Sequence, residues 1–465
     1  MVGSWTNSGA ASDLLIPLDR AAPVALHRQI EAAIREGVRS GRLPLGASVP
    51  PTRTLAADLG VSRGIVVEAY QQLVAEGYLS SRPGGYTRVA AGPSPAPPRA
   101  PVRPAALVRI DFGYGRADVA HFPRAAWLRS LRRVLNHAPD DRFGYASGGG
   151  VPELRHALAD YLNRVRGTDA SASNVVVTNG FAQGIALVVQ VLAQRGARRI
   201  AVEDPSPDDD AREHALAAGI EVVGVPVGPD GVDVAALDRV SADALVLTPS
   251  HQWPTGGVLP PPARAAVLRW AREHDAVVVE DDYDAEHRYD RAPVGALQGL
   301  DPDRVIYAGT ASKTLAPGLR IGWLVTPAGL VDELAGAKVR ADRGSSAVDQ
   351  LALADFLAHG EFDRHLRRMR PIYRRRRDAL LAGLARHLPG FRPAGVAAGL
   401  HLVAWLPSGL AEDEVVAAAR SAGVGVAGVG RYRLTPGPAG LIFGYATLDP
   451  PEIDAGLALL AAALH

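Results

Sequence analysis

The sequence predicts an α/β protein in two parts: a small amino-terminal winged helix-turn-helix, then a larger body with a mostly parallel sheet wrapped by helices. Three observations carry this reading. The stretch AGPSPAPPRAPVRP, Ala91 to Pro104, is dense in proline and lacks hydrophobic periodicity, so it reads as a semi-extended linker dividing the chain. Before it, apolar residues recur at helical spacing: Leu26, Ile30, Ile34 and Val38, then Leu55, Leu59, Val66, Tyr70, Leu73 and Val74. After it, runs suited to buried strands, such as Val175-Val-Val, Ala244-Leu-Val-Leu and Ala276-Val-Val-Val, alternate with helical stretches. The expected parts are residues 12–90 for the head, 91–108 for the linker and 109–465 for the body.

Composition narrows the chemistry. A chain of 465 residues exceeds what one core usually organises. Hydrophobic residues at 47% with charged residues at 21% suit a globular protein, and no apolar run approaches the roughly 18 residues of a membrane span. The start, MVGSWTNSGAASDLL, has no basic segment followed by an apolar core, so the expected location is the cytoplasm. The absence of cysteine excludes disulfides, thiolate metal sites and cysteine nucleophiles. With 50 basic against 49 acidic residues, any contact with DNA must be local. Lys313 and Lys338 are the only lysines; every other member of that basic set is arginine. A guanidinium can replace an ammonium in an ion pair but cannot form an imine with an aldehyde, which makes a surviving lysine a candidate for amine chemistry.

In the head, RTLAADLGVSRGIVVEAY from Arg53 gives one helix over Thr52 to Leu59, a turn at Gly60, and a second helix capped by Ser62. A recognition helix presents its first turn to base edges and phosphates, and here that turn holds Ser62, Arg63 and Gly64. Arg53 starts the preceding helix, near the expected DNA backbone. GYLSSRPGGYTRV from Gly77 alternates like a two-stranded hairpin, with Arg82 beside a Pro83-Gly84-Gly85 tip. That is a wing.

Pyridoxal phosphate (PLP) asks four things of a protein: an amine, an anion for the pyridine nitrogen, a donor for the ring oxygen and a phosphate cradle. GTASKTLAPGLRIG from Gly309 supplies Lys313 for a Schiff base, with Thr310, Ser312 and the fork of Arg320 for a dianionic phosphate. AVVVEDDYD from Ala276 ends a buried strand in acids, where ligands bind parallel sheets. Asp281 is the expected partner of the pyridine nitrogen and Tyr283 that of the ring oxygen. VVVTNGFAQGIA from Val175 is a strand, a turn and a helix start, offering the backbone N–H groups of Gly180, Phe181 and Ala182 to an anion. No metal site is expected.

The head resembles the GntR-type winged helix through VALHRQI at Val24, SGRLPLG at Ser40, LAADLGVSR at Leu55 and YQQLVAEGYL at Tyr70. It departs from that pattern at Gly64-Ile65, where Asn-Thr is common, and in its GGYTRV wing. The body resembles fold type I aminotransferases, and the fusion resembles the MocR group of GntR regulators. FGYASGGGVPELR at Phe143, TPSHQWPTG at Thr248 and HLRRMRPIYRRRRD at His365 extend the likeness from about Ala22 to the end. The resemblance implies a large mixed sheet with a small carboxy-terminal α/β subdomain and a head-to-tail homodimer. It further implies that Tyr145 reaches the phosphate of the partner subunit and that Arg431 takes the carboxylate of an incoming amino acid, with Arg433 two residues away. Two departures bear on function. Trp253 stands where the aminotransferase pattern has an asparagine that bonds the ring oxygen, and EDPSPDDD from Glu203 lacks the aromatic and arginine that some of these regulators have.

The expected function is a PLP-binding transcription regulator that binds an operator and senses PLP or an aldimine with an amine or amino acid. The rival is a working aminotransferase with a vestigial head. A sensor of the cofactor alone is the third reading.

Overall fold

The computed structural model describes residues 16–81, 86–90, 108–145, 147–207, 211–284, 286–289 and 294–464. It divides into two compact units, Met1–Pro104 and Ala105–His465.

The head contains α1 (Leu26–Arg39), α2 (Thr52–Leu59) and α3 (Arg63–Ala75), followed by β1 (Leu79–Ser80) and β2 (Arg88–Val89). The two strands pair antiparallel with Leu79 opposite Val89, as a wing requires. Gly60 ends α2 at φ 64°, ψ 35°, a left-handed turn that a glycine adopts without penalty and that redirects the chain into α3. Ile30, Ile34 and Val38 of α1 meet Leu55, Val66, Tyr70 and Leu73 in one buried cluster with Leu79 and Val89. Two expectations change here. Val74 is exposed, because the position after Leu73 has turned off the buried face. Ser62 occupies the residue before α3 in extended backbone, but its side chain makes no capping bond. Arg82 and the Pro83-Gly84-Gly85 tip lie outside the described residues.

The body opens with β3 (Ile110–Asp111), α4 (Arg124–His137), α5 (Pro152–Arg166), β4 (Val175–Thr178), α6 (Phe181–Gln194), β5 (Arg199–Asp204), α7 (Ala211–Ala217), β6 (Glu221–Gly228) and β7 (Gly231–Val232). It continues through α8 (Val234–Leu237), β8 (Ala244–Leu247), α9 (Pro261–Glu273), β9 (Val277–Asp282), β10 (Val305–Thr310), β11 (Gly322–Val325) and α10 (Val331–Asp342). The main sheet has the order β4-β11-β10-β9-β8-β5-β6-β7. From β10 to β6 the pairing is parallel, whereas β11 runs against both β4 and β10, and β7 runs against β6. The strand runs Val175-Val-Val, Ala244-Leu-Val-Leu and Val277-Val-Val all fall in this sheet, buried on both faces as helix-covered strands must be.

The rest comprises α11 (Ala347–Ala358), α12 (Glu361–His387), β12 (Arg392–Ala394), β13 (His401–Trp405), α13 (Glu412–Ser421), β14 (Val424–Gly425), β15 (Ala427–Gly428), β16 (Gly440–Gly444) and α14 (Pro450–Ala463). A second sheet, β12-β13-β16-β15, packs with α12, α13 and α14 around its own apolar core, and β14 pairs with β3.

One buried ion pair ties α5 to the sheet. The guanidinium of Arg166, fully buried, donates to Asp282 Oδ2 at 2.7 Å, to Ser250 Oγ at 2.9 Å and to the Val294 carbonyl at 2.5 Å. Tyr307 donates to the same Asp282 oxygen at 2.7 Å. Arg166→Met strands the Asp282 carboxylate without its cation, so the body should lose about 3–5 kcal/mol of stability, measured by denaturant unfolding followed through tryptophan fluorescence.

Candidate functional site

Strand alternation sorts the acidic cluster at the end of β9. Glu280 is buried and accepts from the backbone N–H groups of Leu297 (3.0 Å) and Gln298 (3.1 Å). Asp282, on the same face, is taken by Arg166. Asp281 turns the other way and lines a cavity of about 280 Å³ that also holds Lys313. The sequence offered three carboxylates within three residues, and burial of the other two leaves Asp281 as the one at the cavity.

The connection from β10 to β11 brings the rest. Because the two strands are antiparallel, the segment between Thr310 and Gly322 leaves and returns at one edge of the sheet. Thr310, Ser312, Lys313 and Arg320 all line the cavity from this segment. The Thr310 and Ser312 hydroxyls lie 2.9 Å apart. Lys313 Nζ donates to the Gly115 carbonyl at 2.6 Å. Arg320 holds a left-handed backbone at φ 51°, sparsely populated for a residue with a side chain. Its guanidinium donates to the Asn179 carbonyl at 2.7 Å.

That bond joins Arg320 to the turn after β4. Gly180 precedes α6 at φ 84°, and a Cβ there would sit 3.0 Å from the Arg320 guanidinium. Phe181 and Ala182 line the cavity in the first turn of α6, where backbone N–H groups have no acceptor within the helix. Six of the predicted residues from two separate segments, Lys313, Asp281, Tyr283, Arg320, Thr310 and Ser312, therefore face one space with Phe181 and Ala182 of a third.

Tyr283 is half-buried, and its hydroxyl donates to the His251 carbonyl at 3.0 Å. Burial, reinforced by Asp284 and Asp281, holds that phenol well above its usual pKa, so it stays protonated as a donor. His251 Nδ1 lies 3.0 Å from Asp284. His401, in contact with the Tyr283 ring, is pushed down to about 3 by burial and stays neutral. Trp253 forms another wall, its ring 4.7 Å from that of Tyr432 and 5.2 Å from that of Tyr114. The Tyr114 and Tyr432 hydroxyls are hydrogen-bonded to each other.

Two predicted residues are not brought to this cavity. Arg431 is exposed and lies over the outer face of the turn, its guanidinium 4.8 Å from the centre of the Tyr432 ring. In the 3-10 turn Gly430–Tyr432 the tyrosine turns inward, which sends its neighbours elsewhere. Arg433 instead lies near Trp405. Tyr145 is 95% exposed. Sequence reasoning also missed Tyr114, Gly115, His251, Asp284, His401 and Tyr432. For His251 one signal existed: Gly399, at φ 78°, allows the imidazole to approach so closely that a Cβ would lie 2.2 Å from its Cε1.

In the head, Arg53, Ser62, Arg63 and Gly64 are all exposed. Among the described residues, neither Arg53 nor Arg63 pairs with a carboxylate.

The fold and cavity define an aminotransferase-type domain joined to a winged helix. Residues 109–442 match the family described as aminotransferase class I and II, and residues 26–89 match bacterial regulatory proteins of the gntR family. The chain is 36% identical to the probable rhizopine catabolism regulatory protein MocR of Rhizobium meliloti, over 97% of this chain and 96% of that one. It is 33% identical to the pyridoxine biosynthesis transcriptional regulator PdxR of Corynebacterium glutamicum, over 94% and 96%. A solved structure of LysN, the α-aminoadipate aminotransferase of Thermus thermophilus complexed with N-(5'-phosphopyridoxyl)-L-leucine, superposes with a TM-score of 0.70. It is 29% identical and covers 77% of this chain and 92% of its own. The chain belongs to the MocR group of GntR-family transcription regulators, in which a DNA-binding winged helix is fused to an aminotransferase-like domain. Among the described residues no helix is long and apolar enough to cross a membrane.

Below the cavity, Glu203 is buried and accepts from Thr248 N (2.9 Å) and Thr248 Oγ1 (2.7 Å). Burial pushes its carboxyl from 4.5 up to about 7. Between those values the folded protein keeps a proton that the unfolded chain has lost, so stability falls as pH rises through the window. Glu203→Gln keeps an acceptor for Thr248 and removes this titration. The variant should gain on the native protein by a few kcal/mol at most as pH rises from 4.5 to about 8, read from melting temperatures across that range.

Proposed function

We propose that this regulator holds PLP on Lys313 and that occupancy of the cavity, by the cofactor or by an amine joined to it, changes how the winged helices are presented to an operator. The observation that carries this is the convergence of Lys313, Asp281, Tyr283 and Arg320 on one cavity in a chain that also has a DNA-binding head. The donor set fits the group. Arg320, the Thr310 and Ser312 hydroxyls and the first turn of α6, reached through Gly180, offer charge and donors to a phosphate. Asp281 supplies a negative charge for a pyridinium, and the half-buried Tyr283 phenol a proton for a ring oxygen.

When bound, PLP supplies an aldehyde that captures primary amines and a ring that withdraws electrons. Lys313 supplies the amine that anchors it. Lys338 cannot, being fully buried and held by Asp342 at 2.6 Å. Tyr145, exposed on its own subunit, serves the phosphate of a partner in a head-to-tail homodimer. Arg431 is the proposed partner of an effector carboxylate, approached from beyond the Tyr432 ring and outside the cavity itself. Trp253, buried in the wall where an asparagine would bond the ring oxygen, favours holding a ligand over turning it over. The relative named for regulation of pyridoxine biosynthesis supports a link between such a cavity and the cofactor itself. The site of action is the cytoplasm.

In the head, Ser62, Arg63 and Gly64 meet base edges and phosphates, with Arg53 and Arg82 on the backbone. Gel-shift binding to DNA upstream of its own gene, with and without PLP, tests the reading as a whole; no specific complex in either state would refute it. Arg63→Ala should cost about 1–3 kcal/mol of operator binding while leaving the melting temperature unchanged. After borohydride reduction, mass spectrometry should find the pyridoxyl group on Lys313 of the native protein. Lys313→Arg, although it conserves charge, should carry none.

A further inference from the structure

The second surviving lysine has a place in the same design. Lys338, on α10, is buried and donates to both oxygens of Asp342, at 2.8 and 2.6 Å. Asp342 Oδ2 also accepts from Asn179 Nδ2 and Gln183 Nε2, each at 2.7 Å, while Oδ1 accepts from the Gly344 N–H at 2.9 Å. Gln183 Oε1 in turn accepts from the Asn179 N–H at 2.8 Å. Asn179 is thus held through its side chain and its backbone nitrogen, leaving its carbonyl to receive Arg320 at 2.7 Å. Gly180 follows, packed against the same guanidinium.

We infer that Lys338 and Asp342 are positioning residues for the anion cradle, fixing the Asn179–Gly180 turn and, through the Asn179 carbonyl, the guanidinium of Arg320. This rests on the cofactor reading above and adds to it a layer one step removed from the ligand. The network accounts for a lysine in a chain that otherwise uses arginine. The ammonium is compact and points three donors from a buried stem, whereas a planar fork would need more room between α10 and α6. The carboxylate would otherwise draw in the Asn179 and Gln183 amides with no cation to balance it. Lys338 supplies that charge without reaching the cavity. The group controlled is the phosphate end: Lys338 and Asp342 lie on α10, and Asn179 and Gln183 flank the start of α6, whereas Asp281 and Tyr283 come from the end of β9 and Lys313 from the segment after β10.

That separation sets the experiment. The full chain, stripped of cofactor, is titrated in parallel with PLP and with pyridoxal, which lacks the phosphate, and binding is read by absorbance. The native protein should prefer PLP. Asp342→Asn should weaken PLP about tenfold or more, the scale on which supporting partners of a bound group are felt, and leave pyridoxal unchanged. Lys338→Met should act in the same direction, and Lys338→Arg should not restore native affinity. Should Asp342→Asn fail to fold, Gln183→Leu removes one of the two amides and should give a smaller loss, again confined to PLP. Equal losses for both ligands, or undiminished preference for PLP, overturn the inference. A native protein that binds PLP no better than pyridoxal overturns the cofactor reading itself, and is told apart from the other outcomes because no variant is needed to see it.

Discussion

The reversal of strand β11 governs the body. In an otherwise parallel run from β10 to β6, one strand running the other way makes the segment between Thr310 and Gly322 start and finish at the carboxyl edge, where β4 and β9 also end. Lys313 and Arg320 can then stand seven residues apart in sequence and face the same space. The hydrogen bond from Arg320 to the Asn179 carbonyl closes this edge, joining the reversed strand to the turn after β4. The left-handed backbone of Arg320 and the glycine at 180 are consequences of that closure: one accepts strain to aim the guanidinium, and the other clears the space it occupies.

Around this edge, charge is distributed by what burial can tolerate. Asp282 is neutralised by Arg166, and Glu280 sits among backbone N–H groups, pushed up to about 7 by burial. Glu203 behaves in the same way beneath the Thr248 loop. A carboxylate with such a shifted pKa is a cost to the folded state at neutral pH, and each of these holds a backbone segment in return. Asp281 is the acid of the β9 cluster aimed at the cavity. The same division appears among the cations, with Arg166 and Lys338 tied to carboxylates behind the site while Arg320 stands at it.

The aromatic wall changes the character of the pocket. Trp253, Tyr432 and Tyr114 meet edge to face or tilted, an arrangement that fills space firmly. His401, also at the cavity, is kept neutral by burial.

Much of this was legible in the residues alone. The helical spacing around Ile34 and Leu55, the Gly60 turn, the strand runs and the cluster from Gly309 to Gly322 are local patterns, and local patterns survive translation into structure because backbone sterics and side-chain periodicity act within a few residues. What only the tertiary structure decided depends on segments far apart in sequence. It supplied the reason why Asp281, already chosen from the sequence, is the acid of the three at the cavity: Arg166 from α5 claims Asp282 and the Leu297 turn claims Glu280. It brought Tyr114, His401 and Tyr432 to the cavity from three different regions, with His251 behind Tyr283, and left Arg431 outside because Tyr432 takes the inward position. The sequence had already set Lys313 apart by its neighbours; the tertiary structure added that the reversal of β11 delivers Lys313 to the cavity, while Lys338 is held behind it by Asp342 together with the Asn179 turn.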